Sequence, residues 1–205
     1  QAFHDLDPAF SPDLNFATRL KDHGLIADPG QYVKDLATHV EAQGGTFVRA
    51  DVTDIARENG HVTGVRAGGE TIDCDAVVVA TGVWSGPLAD ILGLDVPLEA
   101  ERGYHLEFWE PNMMPTTPVM VAGGKFVATP MDGRLRLAGV VEFGGLEAVP
   151  SKAPLDLLRR NAAKAFPGLR AKHVTEWMGH RPATSDSIPV IGEAPGLKGA
   201  FTGFG

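Results

Sequence analysis

The chain has 205 residues, of which 43% are hydrophobic and 21% are charged, and its formal net charge is −8. This length can bury one large core or two small ones, and the acidic balance without a Lys/Arg run argues against binding along a nucleic-acid backbone. The longest apolar run, residues 76–80, is far shorter than a membrane span, and a single cysteine excludes an internal disulfide.

The first quarter of the chain predicts one helix. Residues 1–27 read as irregular, with an optional short strand at 25–27. Asp28 then offers an N-cap and Pro29 the first helical position. Apolar residues recur at three- and four-residue spacing until Gly44-Gly45 ends the helix; they are Val33, Leu36, Ala37 and Val40. Residues 46–49 read as a strand.

The next segment predicts a hairpin, a strand and a short helix. Residues 61–66 and 70–73 flank Gly68-Gly69, which is a hairpin signal. The β-branched run 75–80 predicts a buried strand. The strand ends at Thr81-Gly82, and a short helix starts at Ser85.

Beyond Pro97 the pattern indicates an antiparallel sheet followed by a second helix. The strand candidates are 102–109, 119–121, 125–129 and 135–141. A helix starts near Ser151 and Pro154, and one of its faces carries Leu155, Leu158, Ala162 and Phe166. A strand at 174–178, a loop around Arg181 and a last strand near 200–201 complete the chain.

Several kinds of site find no support in the sequence. There is no complete Gly-x-Gly-x-x-Gly after a strand and no phosphate-binding loop ending in Gly-Lys-Ser/Thr. No histidine pair or Cys-x-x-Cys has metal-ligand spacing, so no metal site is predicted. A zinc enzyme or a nucleotide triphosphatase therefore has no basis here.

One candidate site element is the turn Ala80-Thr81-Gly82, which follows the apolar strand and leads through Trp84 into a helix. Such a turn presents backbone N–H groups at the carboxyl edge of a parallel sheet, where open α/β sheets bind ligands. An ordinary strand-to-helix turn is the alternative.

Four side chains are candidates for binding or proton transfer. Arg181, stiffened by Pro182, can grip a carboxylate with two parallel hydrogen bonds, or can form a structural salt bridge. Tyr104 can present its hydroxyl to a pocket, or can be an aromatic residue on a sheet face. His105 and His180 can act as acid or base, or can be structural.

Taken together, these segments resemble the FAD-dependent D-amino-acid oxidase superfamily, most closely its D-amino-acid dehydrogenase and glycine oxidase-like branch. The matching segments, in the family's order, are Asp28-Pro29, residues 75–82, Arg102-Gly103-Tyr104-His105, Gly179-His180-Arg181-Pro182 with residues 186–192, and Thr202-Gly203-Phe204-Gly205. The resemblance implies a mixed α+β and α/β fold in which a partial FAD-binding domain is interleaved with an antiparallel-sheet substrate domain. Residues 29–96 and 182–205 would form the first domain, and residues 1–28 and 97–181 the second.

The resemblance also assigns roles to residues. Arg181 matches the arginine that holds the substrate carboxylate, with Tyr104 and His180 as further pocket candidates. The flavin is expected to contact the turn after the apolar strand, at Ala80, Thr81, Gly82 and Trp84, and the last residues, Gly203, Phe204 and Gly205. The adenine is expected to contact Val52.

The implied activity is oxidation of a small amino acid, a D-amino acid or glycine-like, to the imino acid by hydride transfer to FAD. Oxygen or a quinone would take the electrons, in the cytoplasm or, with a quinone, at the periphery of the inner membrane. The alternatives are a non-catalytic module of the same fold, or an enzyme for N-methyl amino acids or 2-hydroxy acids. The family's dinucleotide fingerprint would precede Gln1 and further flavin contacts would follow Gly205, so the fragment alone is expected to be inactive and to bind FAD weakly or not at all.

Overall fold

A computed structural model describes residues 2–205 and divides them into two compact units whose segments alternate along the chain. The first unit comprises the chain up to Thr46, Gly103–Glu142 and Val149–Gly179; the second comprises Phe47–Arg102, Phe143–Ala148 and His180–Gly205. The mixed α and β composition with antiparallel sheets, predicted from the sequence, is confirmed.

Within the described residues the helices are α1 (Ala2–Leu6), α2 (Pro29–Ala42), α3 (Ser85–Ile91) and α4 (Ala153–Ala165). The strands are β1 (Val52–Glu58), β2 (His61–Ala67), β3 (Glu70–Asp73), β4 (Val77–Val79), β5 (Leu98–Trp109), β6 (Val119–Val121), β7 (Phe126–Met131), β8 (Arg134–Phe143), β9 (His173–Thr184), β10 (Val190–Glu193) and β11 (Ala200–Phe204).

The core of the first unit combines residues of α4 with one face of the five-stranded sheet β6-β7-β8-β5-β9. Successive strand residues point to opposite faces, so alternate residues of β5, β7 and β8 are buried. The sheet residues with almost no exposed surface are Leu106, Phe126, Ala128, Leu135 and Leu137. The predicted strands at 102–109, 119–121, 125–129 and 135–141 are thereby confirmed.

Helix α4 is confirmed as the helix that covers this core. Pro154 lies in its first turn, where a missing N–H leaves no bond unmade. The predicted apolar face is the buried face; its residues are Leu155, Leu158, Ala162 and Phe166.

Helix α2 is confirmed with its predicted start, but no residue of it is buried. The Asp28 carboxylate accepts a hydrogen bond from the Gln31 N–H at 3.1 Å, and this bond is the main reason that the pKa of Asp28 lies below its ordinary value. The strands predicted at 25–27 and 46–49 are wrong, since neither segment pairs with another strand among the described residues.

The second unit contains two three-stranded sheets. The order β1-β2-β3 includes the predicted hairpin, whose turn residues Gly68 and Gly69 have φ values of 62° and 87°, a region that glycine adopts without strain. Strand β1 was not predicted, because two register shifts interrupt its pairing with β2 and blur the alternating pattern.

The other sheet of the second unit has the order β10-β11-β4. Strand β11 pairs with β10 in the antiparallel sense and with β4 in the parallel sense. The strand predicted within residues 75–80 is present as β4, but the prediction that it is buried is wrong, because Val78 is 62% exposed while Val79 is buried. No helix in residues 2–205 is long and apolar enough to span a membrane.

Candidate functional site

Two segments that were predicted to approach a flavin end at the same edge of a sheet in the second unit. Strands β4 and β11 run parallel, and Thr202 lies opposite Val79. Residues 80–82, which follow β4, therefore lie beside residues 203–205, which form the end of β11 and the residue after it. The carboxyl edge of parallel strands is where open α/β sheets bind ligands, so this edge is the candidate site.

The backbone at this edge is open. Gly82 begins a turn of 3-10 helix with a φ of 58°, and no atom lies within 4 Å of the position that a Cβ would take there. Gly203 is exposed, and the position that a Cβ would take there is likewise free of other atoms within 4 Å. A planar ligand can therefore approach the main chain closely at both glycines.

The side chains around the edge support its shape. The Thr81 hydroxyl lies 3.0 Å from that of Ser85, which is fully buried at the start of α3. Phe204 is buried in the core of this unit together with Val79. The hydroxyl contact and the buried core thus fix the turn at residues 80–82, and its backbone at Gly82 stays accessible to a ligand.

Arg181 lies within β9, so its prediction as a loop residue is wrong. Its side chain is 61% exposed, and one terminal nitrogen donates to Glu101 Oε2 on β5 at 2.6 Å. The other guanidinium nitrogens bond to no residue that the structure describes. The sequence could not identify Glu101 as the ion-pair partner of Arg181, because no local pattern links two residues so far apart in the chain.

His180 and Trp84 come together although they are distant in sequence. Their ring centroids are 6.2 Å apart with an interplanar angle of 71°, an edge-to-face contact. The Trp84 side chain is 60% exposed. His180 Nε2 is buried and has no hydrogen-bond partner within residues 2–205. The predictions of His180 as a pocket residue and of Trp84 as a flavin contact stay predictions, and the contact between the two rings joins the turn after β4 to β9.

Two predicted site residues lie elsewhere. Val52 begins β1 and pairs with Ala67, in a different sheet from β4 and β11. Tyr104 belongs to the first unit and is only 2% exposed; its hydroxyl donates to Glu142 Oε1 at 2.5 Å and accepts a bond from the Ser151 N–H at 3.1 Å. These contacts support a structural role for Tyr104. The predicted binding roles of Val52 and Tyr104 stay predictions.

The whole sequence, residues 1–205, matches the family described as DAO, FAD dependent oxidoreductase. The chain belongs to the DAO family of FAD-dependent oxidoreductases. The resemblance drawn from five ordered segments is confirmed.

Among DAO-family relatives, a D-amino-acid oxidase of Bradyrhizobium diazoefficiens is 36% identical over 203 residues, which cover 97% of this chain and 48% of that protein. A glycine oxidase of Pseudomonas putida is 29% identical over 208 residues, covering 100% of this chain and 56% of that protein. The chain thus spans about half the length of the curated relatives it matches.

Solved structures have the same fold. The glycine oxidase of Geobacillus kaustophilus superposes with a TM-score of 0.75 at 25% identity, over 84% of this chain and 47% of that one. The L-proline dehydrogenase of P. horikoshii gives a TM-score of 0.76 at 20% identity, over 87% of this chain and 50% of that one. The latter likeness concerns the fold alone.

A histidine of the DAO-family chain lies on the face of the first unit's sheet that points away from α4. The His105 ring stacks on Trp177 at a centroid distance of 4.7 Å, and its Nε2 lies 3.9 Å from Glu107 Oε1. Burial lowers the pKa of His105 below its ordinary value of 6.5; Glu107 opposes this shift, whereas Arg136 and Arg134 add to it. His105 is therefore neutral at pH 7.

This lowered pKa predicts a pH dependence of stability. Between its folded and unfolded pKa values, His105 binds more protons when the chain is unfolded. The free energy of unfolding should therefore fall as the pH drops below 6.5 and level off below the folded pKa. Urea titrations of wild type and His105→Gln at about pH 7.5 and about pH 5.0 test this, and the variant should lose less stability on acidification. Equal losses would contradict a lowered pKa.

Proposed function

We propose that the full-length protein oxidises a small amino acid, a D-amino acid or glycine-like, at its α-carbon, with Arg181 holding the substrate carboxylate. The observation that carries this proposal is that the Arg181 guanidinium is held at one end only. Glu101 fixes one end of its guanidinium, while the other donors point to no described partner. A planar cation held in this way can take a carboxylate through two parallel hydrogen bonds.

The names of the relatives agree with this substrate class. They include D-amino-acid oxidase, glycine oxidase and D-amino acid dehydrogenase, all of which are amino-acid oxidoreductases by name. The predictions of oxygen or a quinone as acceptor and of a cytoplasmic location stay predictions.

The residues that would hold FAD are those at the edge of β4 and β11. Open space above Gly82 and Gly203 fits a planar ring system lying against the backbone, and Trp84 would lie beside it. When bound, FAD supplies the acceptor for the hydride that leaves the α-carbon. Arg181 contributes orientation, because a fixed carboxylate limits the angles that the α-carbon can adopt. With the amine neutral on arrival, no side chain has to act as a base.

A substrate panel tests the proposed activity in the full-length protein. Glycine, D-alanine, sarcosine, proline and 2-hydroxyglutarate would be compared with the same electron acceptor. Turnover of glycine or D-alanine with release of ammonia supports the proposal. Turnover of 2-hydroxyglutarate alone, or of none of the five, would overturn it.

The flavin contact at Gly203 has its own test. We expect Gly203→Val in the full-length protein to lower the content of bound FAD, because the new side chain fills the open space over the backbone. Gly123→Val is the matched control, since Gly123 is also exposed and has no atom within 4 Å of its Cβ position. Visible flavin absorbance per protein measures the outcome. An equal FAD content in both variants would place the flavin elsewhere.

We also propose that residues 1–205 alone bind FAD weakly and are inactive. They contain no complete Gly-x-Gly-x-x-Gly, the motif that brings a backbone close to the pyrophosphate of a dinucleotide. The absorbance spectrum of the purified chain after incubation with FAD and gel filtration measures this. A stoichiometric yellow complex would contradict the proposal.

A further inference from the structure

The ion pair of Glu101 and Arg181 lies within the second unit, where the first residues of β5 are beside the last residues of β9. It joins one oxygen to one nitrogen, since Glu101 Oε2 accepts from a terminal nitrogen of Arg181 at 2.6 Å. Glu101 Oε1 accepts no hydrogen bond from any residue that the structure describes, and the remaining Arg181 nitrogens donate to none. The pair therefore presents an unused carboxylate oxygen together with unused guanidinium donors.

A small solute can reach both members of this pair. The Arg181 side chain is 61% exposed and the Glu101 side chain is 26% exposed. The residues on either side of Glu101, Ala100 and Arg102, are buried. Because successive strand residues point to opposite faces, the Glu101 side chain leaves β5 on the face away from those buried neighbours.

A second carboxylate nearby does not take the place of Glu101. Glu99 leaves β5 on the same side, but its Oε1 accepts a hydrogen bond from the Ala100 N–H at 3.1 Å. Glu99 forms no ion pair with any cation of the described chain. Within residues 2–205, the negative charge beside the Arg181 guanidinium is therefore that of Glu101.

A cation and an anion held side by side favour a zwitterion over a simple anion. A carboxylate on the free donors of Arg181 comes close to the Glu101 carboxylate, and like charges repel. In an α-amino acid the ammonium group is one carbon away from the carboxylate. If that ammonium group lies at Glu101 Oε1, attraction and a charge-assisted hydrogen bond replace the repulsion.

We propose that Glu101 binds the amino group of the substrate while Arg181 binds its carboxylate. This inference rests on the proposed function and makes it more specific, because it gives a reason for preferring amino acids to 2-hydroxy acids and to carboxylates without an amine. A neutral amine still has N–H groups that donate to Glu101 Oε1, so the contact persists after the ammonium group loses its proton. Glu101 is a specificity-determining residue in this proposal.

Two ligands that cannot be oxidised at an α-hydrogen test the inference in the full-length protein. 2-Aminoisobutyrate has no α-hydrogen, and pivalate is the same molecule with a methyl group in place of the ammonium group. In calorimetric titrations the wild type should bind 2-aminoisobutyrate with the lower Kd. Glu101→Gln should raise that Kd by about fivefold to fiftyfold, between the effects of an exposed charge pair and of a shielded charge-assisted bond. The Kd for pivalate should rise by less than about twofold or should fall, because a repelling charge is removed.

Glu99→Gln is the matched control, since it neutralises a glutamate on the same side of the same strand that does not bond to Arg181. It should leave both Kd values unchanged. Equal increases for both ligands in Glu101→Gln would show that Glu101 only holds Arg181 in place and would overturn the inference. A wild type that binds pivalate as tightly as 2-aminoisobutyrate, or binds neither, would overturn it as well.

Turnover distinguishes a failure of this inference from a failure of the proposed function. Oxidation of glycine or D-alanine, with an unchanged Kd for 2-aminoisobutyrate in Glu101→Gln, supports the function and rejects the amine contact. Binding of 2-aminoisobutyrate that depends on Glu101, without oxidation of any amino acid, supports the contact and rejects the function.

Discussion

Arg181→Ala in the full-length protein is expected to lower kcat/KM for carboxylate substrates by about 10²- to 10⁴-fold. Each charge-assisted hydrogen bond to a carboxylate contributes about 1.5–3 kcal/mol in a shielded site, and two such bonds are lost. A factor of ten in kcat/KM corresponds to about 1.4 kcal/mol. Steady-state kinetics with glycine or D-alanine, which carry a single carboxylate, measure the effect. KM should rise and kcat should fall, since the carboxylate both binds the substrate and orients its α-carbon.

Two further variants isolate the role of Arg181. Arg181→Lys keeps the charge but loses the planar pair of donors, so its kcat/KM should lie between those of wild type and Arg181→Ala. Arg159→Ala removes another exposed arginine that bonds to a glutamate, Glu176, in the first unit, and it should have wild-type kinetics. Wild-type kinetics in Arg181→Ala would exclude the proposed carboxylate contact.

Leu158→Ala is expected to lower the free energy of unfolding of the first unit by about 2–5 kcal/mol. Leu158 has no exposed surface and lies where α4 meets the sheet residues Leu106 and Phe126 in a single core. Truncation removes apolar contacts and leaves a cavity that the strands cannot close, because backbone hydrogen bonds hold their spacing.

The measurement uses urea denaturation in a Trp84→Phe background. Trp84 belongs to the second unit, whereas Trp109 and Trp177 belong to the first, so the remaining tryptophan fluorescence reports on the first unit. Leu20→Ala is the control; Leu20 is 71% exposed in the same unit, and its truncation should change stability by less than about 0.5 kcal/mol. Similar midpoints for the two leucine variants would refute the assignment of Leu158 to the core.

Local patterns were enough to predict several elements. The Asp28-Pro29 start of α2, the Gly68-Gly69 hairpin and the buried face of α4 each depend on residues close together in the chain. Capping, turn geometry and helical periodicity act over a few residues, and these are the signals that a single sequence contains.

Other elements depended on partners that are distant in sequence. Strand β9 continues through Arg181 although Pro182 suggests a loop, because β5 lies beside it in the sheet. The bonds of Glu101 to Arg181 and of Glu142 to Tyr104 join residues on different strands. No local rule indicates which of many carboxylates will lie next to a given donor.

The exposed apolar side chains of α2 also show what a local pattern predicts and what it leaves undecided. Val33, Leu36 and Val40 recur with helical spacing and predict α2, yet all three are exposed in the described chain. An amphipathic pattern specifies that a helix forms and which face is apolar. It does not specify what packs on that face, which depends on how distant segments are arranged.

The sequence by itself determined the family, the FAD-dependent class and the segments that line the candidate site, because these reside in short motifs kept in order along the chain. Only the tertiary structure decided which of those segments meet. Parallel pairing of β4 with β11 brings residues 80–82 to residues 203–205, and pairing of β5 with β9 places Glu101 beside Arg181. The physical reason is that strand register and side-chain pairing are set by packing and hydrogen bonds between segments far apart in the sequence.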